Sequence, residues 1–265
     1  MSGLANRPNL VDVRAEHWKP PVYRPAGGVW PALRARLLRF MDLQAGTIWR
    51  DLAAELPKVA GTVVDVGCGV QPYRPLFSAG VRYIGIDYAD TRDTFRVEAP
   101  DTIYYTGDRW PLEDATADFV LCTETLEHVA TPEVFLAEMF RVLKPGGRAL
   151  LTVPFAARWH FIPYDYWRPT PSGLDNALRR AGFGEVRVYG RGNTFTIACY
   201  KGMAFCYSLL SPREGTGRAS AWVSRCLGVA GIPAMMALAV GANASLPWPG
   251  SVDFLGFTVS VEKPR

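Results

Sequence analysis

The chain has 265 residues, 49% of them hydrophobic, which is enough to bury a substantial core and excludes global disorder. The net charge of +4 comes from 29 basic and 25 acidic residues without a basic run, so no nucleic acid partner is expected. Five cysteines without any C-x-x-C spacing indicate neither a disulfide framework nor a zinc site. We therefore expect a cytoplasmic protein with no bound metal.

The N-terminal segment, residues 1–56, is predicted to be an arm followed by one helix. Four prolines and the pair Gly27-Gly28 interrupt the first thirty residues, which is typical of an irregular arm and unlike a signal peptide. From about Pro31 to Glu55 the apolar residues recur at helical spacing, with the proline at the first turn. A single helix is expected there.

Strands and helices alternate over residues 57–192. The predicted strands lie near 62–66, 82–86, 102–105, 117–122 and 147–153, and the predicted helices near 73–79, 131–143 and 172–181. Such alternation predicts an α/β fold with a parallel sheet and helices on both faces. Another strand near 185–189 is expected at the sheet edge, and the apolar run 254–261 is expected to be the last strand.

A glycine turn after the first strand carries the strongest functional signal. The β-branched run ends in Asp65 and is followed by Gly67 and Gly69, and the next apolar run ends in Asp87. Glycines let a backbone approach a ligand closely, and an acid at the tip of the next strand can accept both hydroxyls of a ribose. Pro72 occupies the third-glycine position of the dinucleotide fingerprint and offers no N–H to a phosphate. This pattern predicts a nucleoside site without a pyrophosphate, although a purely structural turn is the alternative.

Five segments in order resemble the class I S-adenosylmethionine (SAM)-dependent methyltransferases, in particular the type 11 small-molecule group. These segments are Asp65–Gly69, Ile86-Asp87, Gly107–Leu112 with Ala117–Val120, Thr123–Val129 and Arg141–Gly147. The resemblance extends over about residues 60–190, and five collinear matches are far more specific than one. It implies a Rossmann-like fold with a mostly parallel seven-stranded sheet, SAM as the cofactor and methyl transfer as the reaction.

The resemblance also implies roles for the first two motifs. Gly67, Cys68 and Gly69 would pass beneath the methionine part of SAM. Asp65 would orient the amides of this loop or bind the ammonium group of SAM, and Asp87 would bind the ribose hydroxyls. For both acids, the alternative is a carboxylate that only satisfies its own turn.

The remaining cofactor contacts are implied for the third and fourth strands. Asp108 would accept a hydrogen bond from the adenine amino group, with Arg109 or Trp110 against the adenine ring. Thr123 and Glu124, at the tip of the fourth strand, would face the methionine end. A turn acid is again the alternative for Asp108.

An aromatic loop over residues 154–170 follows the fifth strand, at the edge where doubly wound sheets hold ligands. If the methyl acceptor is a hydroxyl, a base must take its proton as the new bond forms. We predict His160 as this base and Asp165 as its partner, with His128 as a second candidate. The alternatives are an aromatic packing loop with an Asp165–Arg168 ion pair, and a structural role for His128.

Residues 193–252 form an apolar insertion before the final segment, 253–265. Residues 194–210 are mostly apolar apart from Lys201, and residues 226–252 carry no formal charge. A single membrane crossing is excluded, because the last strand must rejoin its sheet on the same side. We predict helices that cover the active site, with peripheral membrane contact through 194–250 as the first alternative and membrane insertion as the second.

The predicted function is SAM-dependent methylation of a small or lipid-linked acceptor. Oxygen is favoured over carbon and nitrogen as the atom that is methylated. A SAM-binding regulatory or partner module without catalysis is the main alternative. A nicotinamide oxidoreductase is a minor one, since the chain contains no Tyr-x-x-x-Lys pair.

Overall fold

A computed structural model describes residues 27–91, 101–212 and 217–265, together with Val13 and Ala99. Seven strands form one sheet in the order β3-β2-β1-β4-β5-β7-β6. The strands are β1 (Thr62–Val66), β2 (Arg82–Tyr88), β3 (Thr102–Tyr105), β4 (Ala117–Thr123), β5 (Leu143–Pro154), β6 (Glu185–Arg191) and β7 (Gly256–Glu262). Only β7 is antiparallel to its neighbours. The Rossmann-like, mostly parallel seven-stranded sheet is confirmed, with β6 at the predicted edge.

Seven α-helices accompany the sheet in the described residues: α1 (Val29–Met41), α2 (Leu43–Glu55), α3 (Pro132–Val142), α4 (Pro171–Arg180), α5 (Thr194–Leu210), α6 (Arg218–Ala230) and α7 (Ile232–Ser245). The predicted helices near 131–143 and 172–181 are confirmed as α3 and α4. Most of the predicted N-terminal arm lies outside the described residues.

Two helix predictions were wrong. The single helix expected from Pro31 to Glu55 is two helices, because the backbone of Asp42 is extended and its carboxylate accepts the Ala45 N–H at 3.2 Å, which starts α2. The helix expected near 73–79 is only a 3-10 turn over Arg74–Leu76. Prolines at positions 72 and 75 supply no backbone N–H for helical hydrogen bonds there.

The sheet is buried on both faces, as its sequence pattern predicts. Along β1, Val64 and Val66 belong to the larger core cluster, which includes residues of α3 and α4, whereas Val63 belongs to a second cluster with Ile48 and Leu52 of α2. This alternation follows from the two-residue period of a strand. The helices therefore hold the tip of β1 rigidly from both sides.

The strand order reverses at β1, which pairs in parallel with β2 on one side and β4 on the other. In open α/β sheets ligands bind at such a switch point, outside the carboxyl ends of the strands. Gly67 directly follows β1, Asp87 is the last residue but one of β2, and Thr123 ends β4, so these three residues meet at one edge.

Helices α5 to α7 form the apolar insertion between β6 and β7. Cys199 and Met203 of α5 and Ala239 and Ala242 of α7 share a small core cluster with Leu43 at the start of α2. Among the described helices, none alone is long and apolar enough to cross a bilayer, whereas α6 and α7, bent by 49° relative to each other, meet that length and composition together.

The insertion is joined to the aromatic loop after β5. Arg158 of that loop donates a hydrogen bond to the carbonyl of Ala204 in α5 at 2.8 Å. Lys201 of α5 donates in return to the carbonyl of Ala156 at 2.6 Å. The charge that interrupts the apolar run of α5 thus anchors the helix beside the carboxyl edge of the sheet.

Candidate active site

The glycine turn after β1 is closed on one side and open on the other. Gly67 and Gly69 have positive φ angles of 68° and 52°, which favour glycine. A Cβ atom at Gly67 would lie 2.3 Å from the Thr125 hydroxyl oxygen, whereas one at Gly69 would meet no atom within 4 Å. The open side is where a ligand can approach the backbone.

Asp87 holds this turn in place from the tip of β2. One carboxylate oxygen accepts the N–H of Gly69 at 2.7 Å, and the other accepts the N–H of Tyr88 at 2.8 Å. Burial raises the pKa of Asp87, and the hydrogen bonds from the two backbone N–H groups act in the opposite direction. The structure thus brings Asp87 and the glycine turn together, as the sequence predicts.

Asp65 is buried beneath the same turn, with one of its oxygens unpartnered. Its Oδ2 accepts the hydroxyl of Tyr83 at 2.6 Å, while Oδ1 has no hydrogen-bond partner among the described residues. Burial raises the pKa of Asp65 to about 7, and the nearby charge of Asp87 adds to this rise against the Tyr83 hydrogen bond. The carboxylate that holds the loop amide is that of Asp87 and not that of Asp65.

The residue after the turn, Gln71, is a site residue that the sequence analysis missed. It is buried with a φ of 56°, and its amide donates to the Thr102 hydroxyl at 2.9 Å and accepts from Arg74 at 2.9 Å. Cys68 is also buried, with its Sγ 3.6 Å from the same hydroxyl. Cys68 and Gln71 therefore tie the turn to β3, and only their position next to the glycines could have indicated this.

The residues predicted for the adenine side separate into two groups. Asp108 and Arg109 are exposed on the loop after β3. Trp110 is only 1% exposed, its ring packs edge-on against Phe135 at 5.1 Å, and its backbone N–H donates to Glu138 at 2.8 Å. The structure places Trp110 in the core instead of against a ligand, because hydrophobic burial of the indole outweighs its position in the loop.

The tip of β4 carries an ion pair between a partly exposed carboxylate and a buried arginine. Thr123 ends the strand, and Glu124 follows with a φ of 47° and its N–H bonded to the carbonyl of Thr152 at 3.0 Å. A carboxylate oxygen of Glu124 accepts from Arg191 at 3.0 Å. Glu124 is therefore held by its backbone and its side chain at the carboxyl edge.

Arg191, at the end of β6, is a second residue that the sequence analysis missed. It is 1% exposed, and its Nη2 also donates to the carbonyl of Val153 at 3.1 Å. Its Nε and Nη1 have no hydrogen-bond partner in the described part of the chain. Arg191 lies two residues beyond the strand predicted near 185–189, and the 67 positions between it and Glu124 left no local signal of their proximity.

The predicted histidines lie together. The rings of His128 and His160 are 5.0 Å apart and perpendicular. Nδ1 of His128 lies 2.8 Å from the carbonyl oxygen of Tyr164, and Nδ1 of His160 lies 2.8 Å from that of Arg158. Because a carbonyl only accepts, each Nδ1 carries a proton. Burial lowers the pKa of His128 to about 4, despite the hydrogen bond to Tyr164, so this ring is neutral at pH 7.

Asp165 contacts both of the partners considered for it. Its Oδ2 accepts the backbone N–H of His160 at 3.0 Å and lies 3.3 Å from Nδ1 of the same residue. Both carboxylate oxygens also bind the guanidinium of Arg168. Burial would raise the pKa of Asp165, but the hydrogen bonds from His160 and Arg168 outweigh it and lower that pKa below its usual range.

Glu127 lies beside His128 in a 3-10 turn and is completely buried. Neither of its carboxylate oxygens has a hydrogen-bond partner among the residues that the structure describes. Burial raises the pKa of this carboxyl well above its usual range, and the charge of Glu124 adds to the rise. Glu127 stands within a segment that the sequence analysis matched to a family motif, but no role was predicted for it.

Comparison with known proteins identifies the family. The family model of the methyltransferase domain matches residues 64–151. An uncharacterized methyltransferase of Mycobacterium ulcerans (strain Agy99) is 30% identical over 198 residues, which cover 69% of this chain and 73% of that protein. The chain belongs to the class I SAM-dependent methyltransferases.

Other relatives of this methyltransferase agree with that assignment. An uncharacterized methyltransferase of Mycolicibacterium paratuberculosis is 30% identical over 173 residues, or 61% of this chain and 66% of that protein. A crystal structure from Thermotoga maritima, described as a SAM-dependent methyltransferase and possible histamine N-methyltransferase, superposes with a TM-score of 0.53 at 17% identity, covering 88% of this chain and 95% of that one. At that identity the likeness supports the fold alone.

The turn fits the cofactor of the family on two observations. Asp65 keeps a buried acceptor oxygen unpartnered beside the turn, as binding an ammonium group requires. The space above Gly69 is open, and Asp87 lies directly next to it. The methyltransferase therefore has room and acceptors for SAM at the switch point of its sheet.

Proposed function

We propose that this methyltransferase binds SAM at the carboxyl ends of β1, β2 and β4 and methylates an oxygen of a lipid-linked acceptor. The buried, unpartnered oxygen of Asp65 beside the open turn is the observation that carries the cofactor site. Asp65 would accept from the ammonium group, Asp87 from the ribose hydroxyls, and the backbone at Gly69 would lie against the ligand. When bound, SAM supplies a methyl group on a sulfonium, which is already a good leaving group.

The acceptor would lie beside the histidine pair. The loop 154–170 is fixed to the tip of β4, because Tyr166 donates its N–H to the carbonyl of Glu127 at 2.8 Å and the indole of Trp167 donates to Val129 at 2.7 Å. His128, whose burial lowers its pKa to about 4, is a neutral imidazole at this junction, and in the proposed reaction a hydroxyl acceptor would lose its proton beside it. The role of His160 as that base, with Asp165 orienting it, stays a prediction.

A lipid-linked acceptor is favoured by the exposed surface of the insertion. Residues 217–252 contain two arginines and no acidic residue. Large apolar side chains on this segment are exposed to solvent, among them Trp222 (68%), Leu227, Val229 and Val240. Exposed aromatic and aliphatic side chains beside cationic ones are typical of surfaces that lie on anionic membranes. We propose such peripheral membrane contact for this methyltransferase.

Replacing Asp87 by Ala should weaken the binding of S-adenosylhomocysteine (SAH), the demethylated product, by at least about tenfold, since each lost hydrogen bond to a charged group is worth roughly 1.5–3 kcal/mol. The substitution removes both the ribose acceptor and the anchor of Gly69. Titration calorimetry measures the affinity, and radiolabelled SAM measures turnover. Asp253→Ala, at an exposed position before β7, is the matched control.

An unchanged SAH affinity in Asp87→Ala would remove the ribose assignment. A wild-type protein that binds SAM and never consumes it in the presence of lipid extracts would instead support the non-catalytic alternative.

Introducing negative charge into the exposed face of α6 should weaken the proposed membrane contact. Trp222 and Val229 lie seven residues apart on one side of that helix and are both exposed. The double variant Trp222→Glu/Val229→Glu is expected to reduce co-flotation with anionic vesicles at least about fivefold. Two negative charges would replace apolar side chains that the membrane would otherwise bury. Tyr189→Glu, exposed on the edge strand β6, is the control. Equal flotation of both variants would contradict the proposed surface.

A further inference from the structure

Three side chains beside the tip of β4, here named the Glu-His cluster, are arranged as ligands of one cation. Glu127, His128 and His160 each offer one ligand atom, and the three atoms lie within 4.8 Å of one another. A carboxylate oxygen of Glu127 is 3.7 Å from Nε2 of His128. Two ligands bound tetrahedrally to the same Zn²⁺ ion at their usual bond lengths are roughly 3.4 Å apart. The Glu127–His128 pair is therefore close to the spacing of two ligands on one ion, and the third ligand atom lies within 4.8 Å of both.

Glu127 supplies the reason for a cation. It is 0% exposed, and neither of its oxygens has a hydrogen-bond partner among the described residues. The other two carboxylates of the site have arginine partners, since Glu124 binds Arg191 and Asp165 binds Arg168. A buried carboxylate that loses its hydration without a hydrogen bond or a counter-ion is costly. A bound cation would compensate this loss directly.

The two histidines are oriented as metal ligands usually are. In each ring Nδ1 donates to a backbone carbonyl at 2.8 Å, that of Tyr164 for His128 and that of Arg158 for His160. Such a hydrogen bond places the proton of the ring on Nδ1, so Nε2 is the nitrogen that can bind a metal. In His160 the carboxylate of Asp165 also lies 3.3 Å from Nδ1. Outer partners of this kind are characteristic of histidines that bind metals.

We propose that the Glu-His cluster binds a divalent transition-metal ion of the Zn²⁺ type and that the remaining coordination position receives the oxygen of the methyl acceptor. This inference rests on the proposed function, and it assigns a cation to the site where the sequence predicted a protein base. Two imidazole nitrogens and one carboxylate match Zn²⁺ better than Mg²⁺, which prefers oxygen ligands. Three protein ligands with one open position are typical of catalytic zinc sites.

The cation changes how the acceptor is activated. A hydroxyl bound to Zn²⁺ releases its proton to solvent far more readily than a free one, and the oxygen stays on the cation as a nucleophile. His160 is then a ligand, and Asp165 orients it. The sequence analysis expected no metal because it considered only the spacing of the cysteines. Residues 127–128 and 160 are far apart in the sequence and come together only in the folded chain.

Metal binding can be measured without any methyl acceptor. The 265-residue chain carrying Cys226→Ser, which removes an exposed thiol, is stripped of metal with a chelator. It is then titrated with Zn²⁺ in a calorimeter and with Co²⁺ by visible absorption. One equivalent is expected to bind per chain. Glu127→Gln and His128→Gln should each weaken the affinity at least about thirtyfold, since each removes a direct ligand. His17→Gln, which changes the third histidine of the chain, should leave it unchanged.

Several results would overturn the cluster as a metal site. These are the absence of stoichiometric binding, equal affinities in Glu127→Gln and His17→Gln, or a Co²⁺ spectrum that does not change in His128→Gln. Thermal unfolding checks that each variant is folded, and His160→Gln is used in place of any that is not. SAH titration is run in parallel. If the wild type did not bind SAH, the proposed function would be contradicted. If it bound SAH but not Zn²⁺, only this inference would be contradicted.

Discussion

Replacing Asp65 by Asn is expected to stabilise the folded protein at pH 8 while weakening its affinity for SAM. The native carboxyl is completely buried, and its pKa is raised from 3.8 to about 7 by that burial. The unfolded chain keeps the ordinary value. Between pH 3.8 and about 7 the folded state therefore holds a proton that the unfolded state has released.

Stability contributed by this proton is fully present below pH 3.8 and is lost as the pH rises to about 7. A shift of this size corresponds to a loss on the order of 4 kcal/mol above pH 7. Asn keeps an oxygen that can accept the Tyr83 hydroxyl and carries no charge, so it avoids the loss. Denaturant unfolding from pH 4 to pH 8 should show a flatter profile in Asp65→Asn than in the wild type.

Asp118 provides a control of opposite sign. Its pKa is lowered by the hydrogen bond from Lys144 and by the Thr62 N–H, so its charged form stabilises the fold. Asp118→Asn should therefore lose stability at neutral pH, whereas Asp65→Asn should gain it. Equal pH profiles for wild type and Asp65→Asn would show that the buried carboxyl does not titrate in this range, and the acceptor role assigned to its free oxygen would lose its support.

Asp65, when charged, lowers the stability of the folded protein, which is a conflict between folding and another role of the residue. Natural sequences retain local conflicts of this kind mainly at functional positions. Asp65 and Glu127 are both buried carboxyls with at least one unpartnered oxygen among the described residues. In the proposed function Asp65 serves the cofactor, and in the further inference Glu127 serves the site of the acceptor.

Local sequence was sufficient for the strands and for the cofactor turn. β-branched runs between turn residues place β1, β2 and β4, and the positions of Gly67, Gly69 and Asp87 relative to those strands follow directly. Their geometry depends on neighbours in the chain and on parallel pairing alone. This explains why the strands and the position of the glycine turn could be predicted, whereas the seven-stranded Rossmann-like sheet was implied by the family resemblance. The hydrogen bond from Gly69 to Asp87 was not predicted.

Tertiary contacts decide what the sequence analysis missed. Trp110 and Arg109 are adjacent in the chain, yet one lies in the core and the other is exposed, because only the indole finds Phe135 and the aliphatic cluster behind it. Arg191 meets Glu124 across 67 positions. Pairings over such distances have no local signature, so the buried arginine could not be identified in advance.

The two glycines of the turn should respond to alanine in different ways. Both have positive φ, which costs an alanine about 1–2 kcal/mol. In Gly67→Ala the new methyl group would also overlap the Thr125 side chain at 2.3 Å, so we expect a total loss of at least about 3 kcal/mol of unfolding free energy. In Gly69→Ala nothing lies within 4 Å, so only the backbone cost remains.

The affinity for SAH should depend most on the other glycine, Gly69. The methyl group of Gly69→Ala would occupy the open side of a folded turn, and we expect SAH affinity to fall at least about tenfold, as 1.4 kcal/mol of lost contact suffices for that. The double variant Gly67→Ala/Thr125→Gly removes the overlapping side chain and should recover only the part of the loss that the overlap causes, while the backbone cost remains. Denaturant unfolding and SAH calorimetry measure the two effects separately. If Gly69→Ala bound SAH as tightly as the wild type, the open side of the turn would not be the cofactor side, and the site would have to lie elsewhere on the sheet edge.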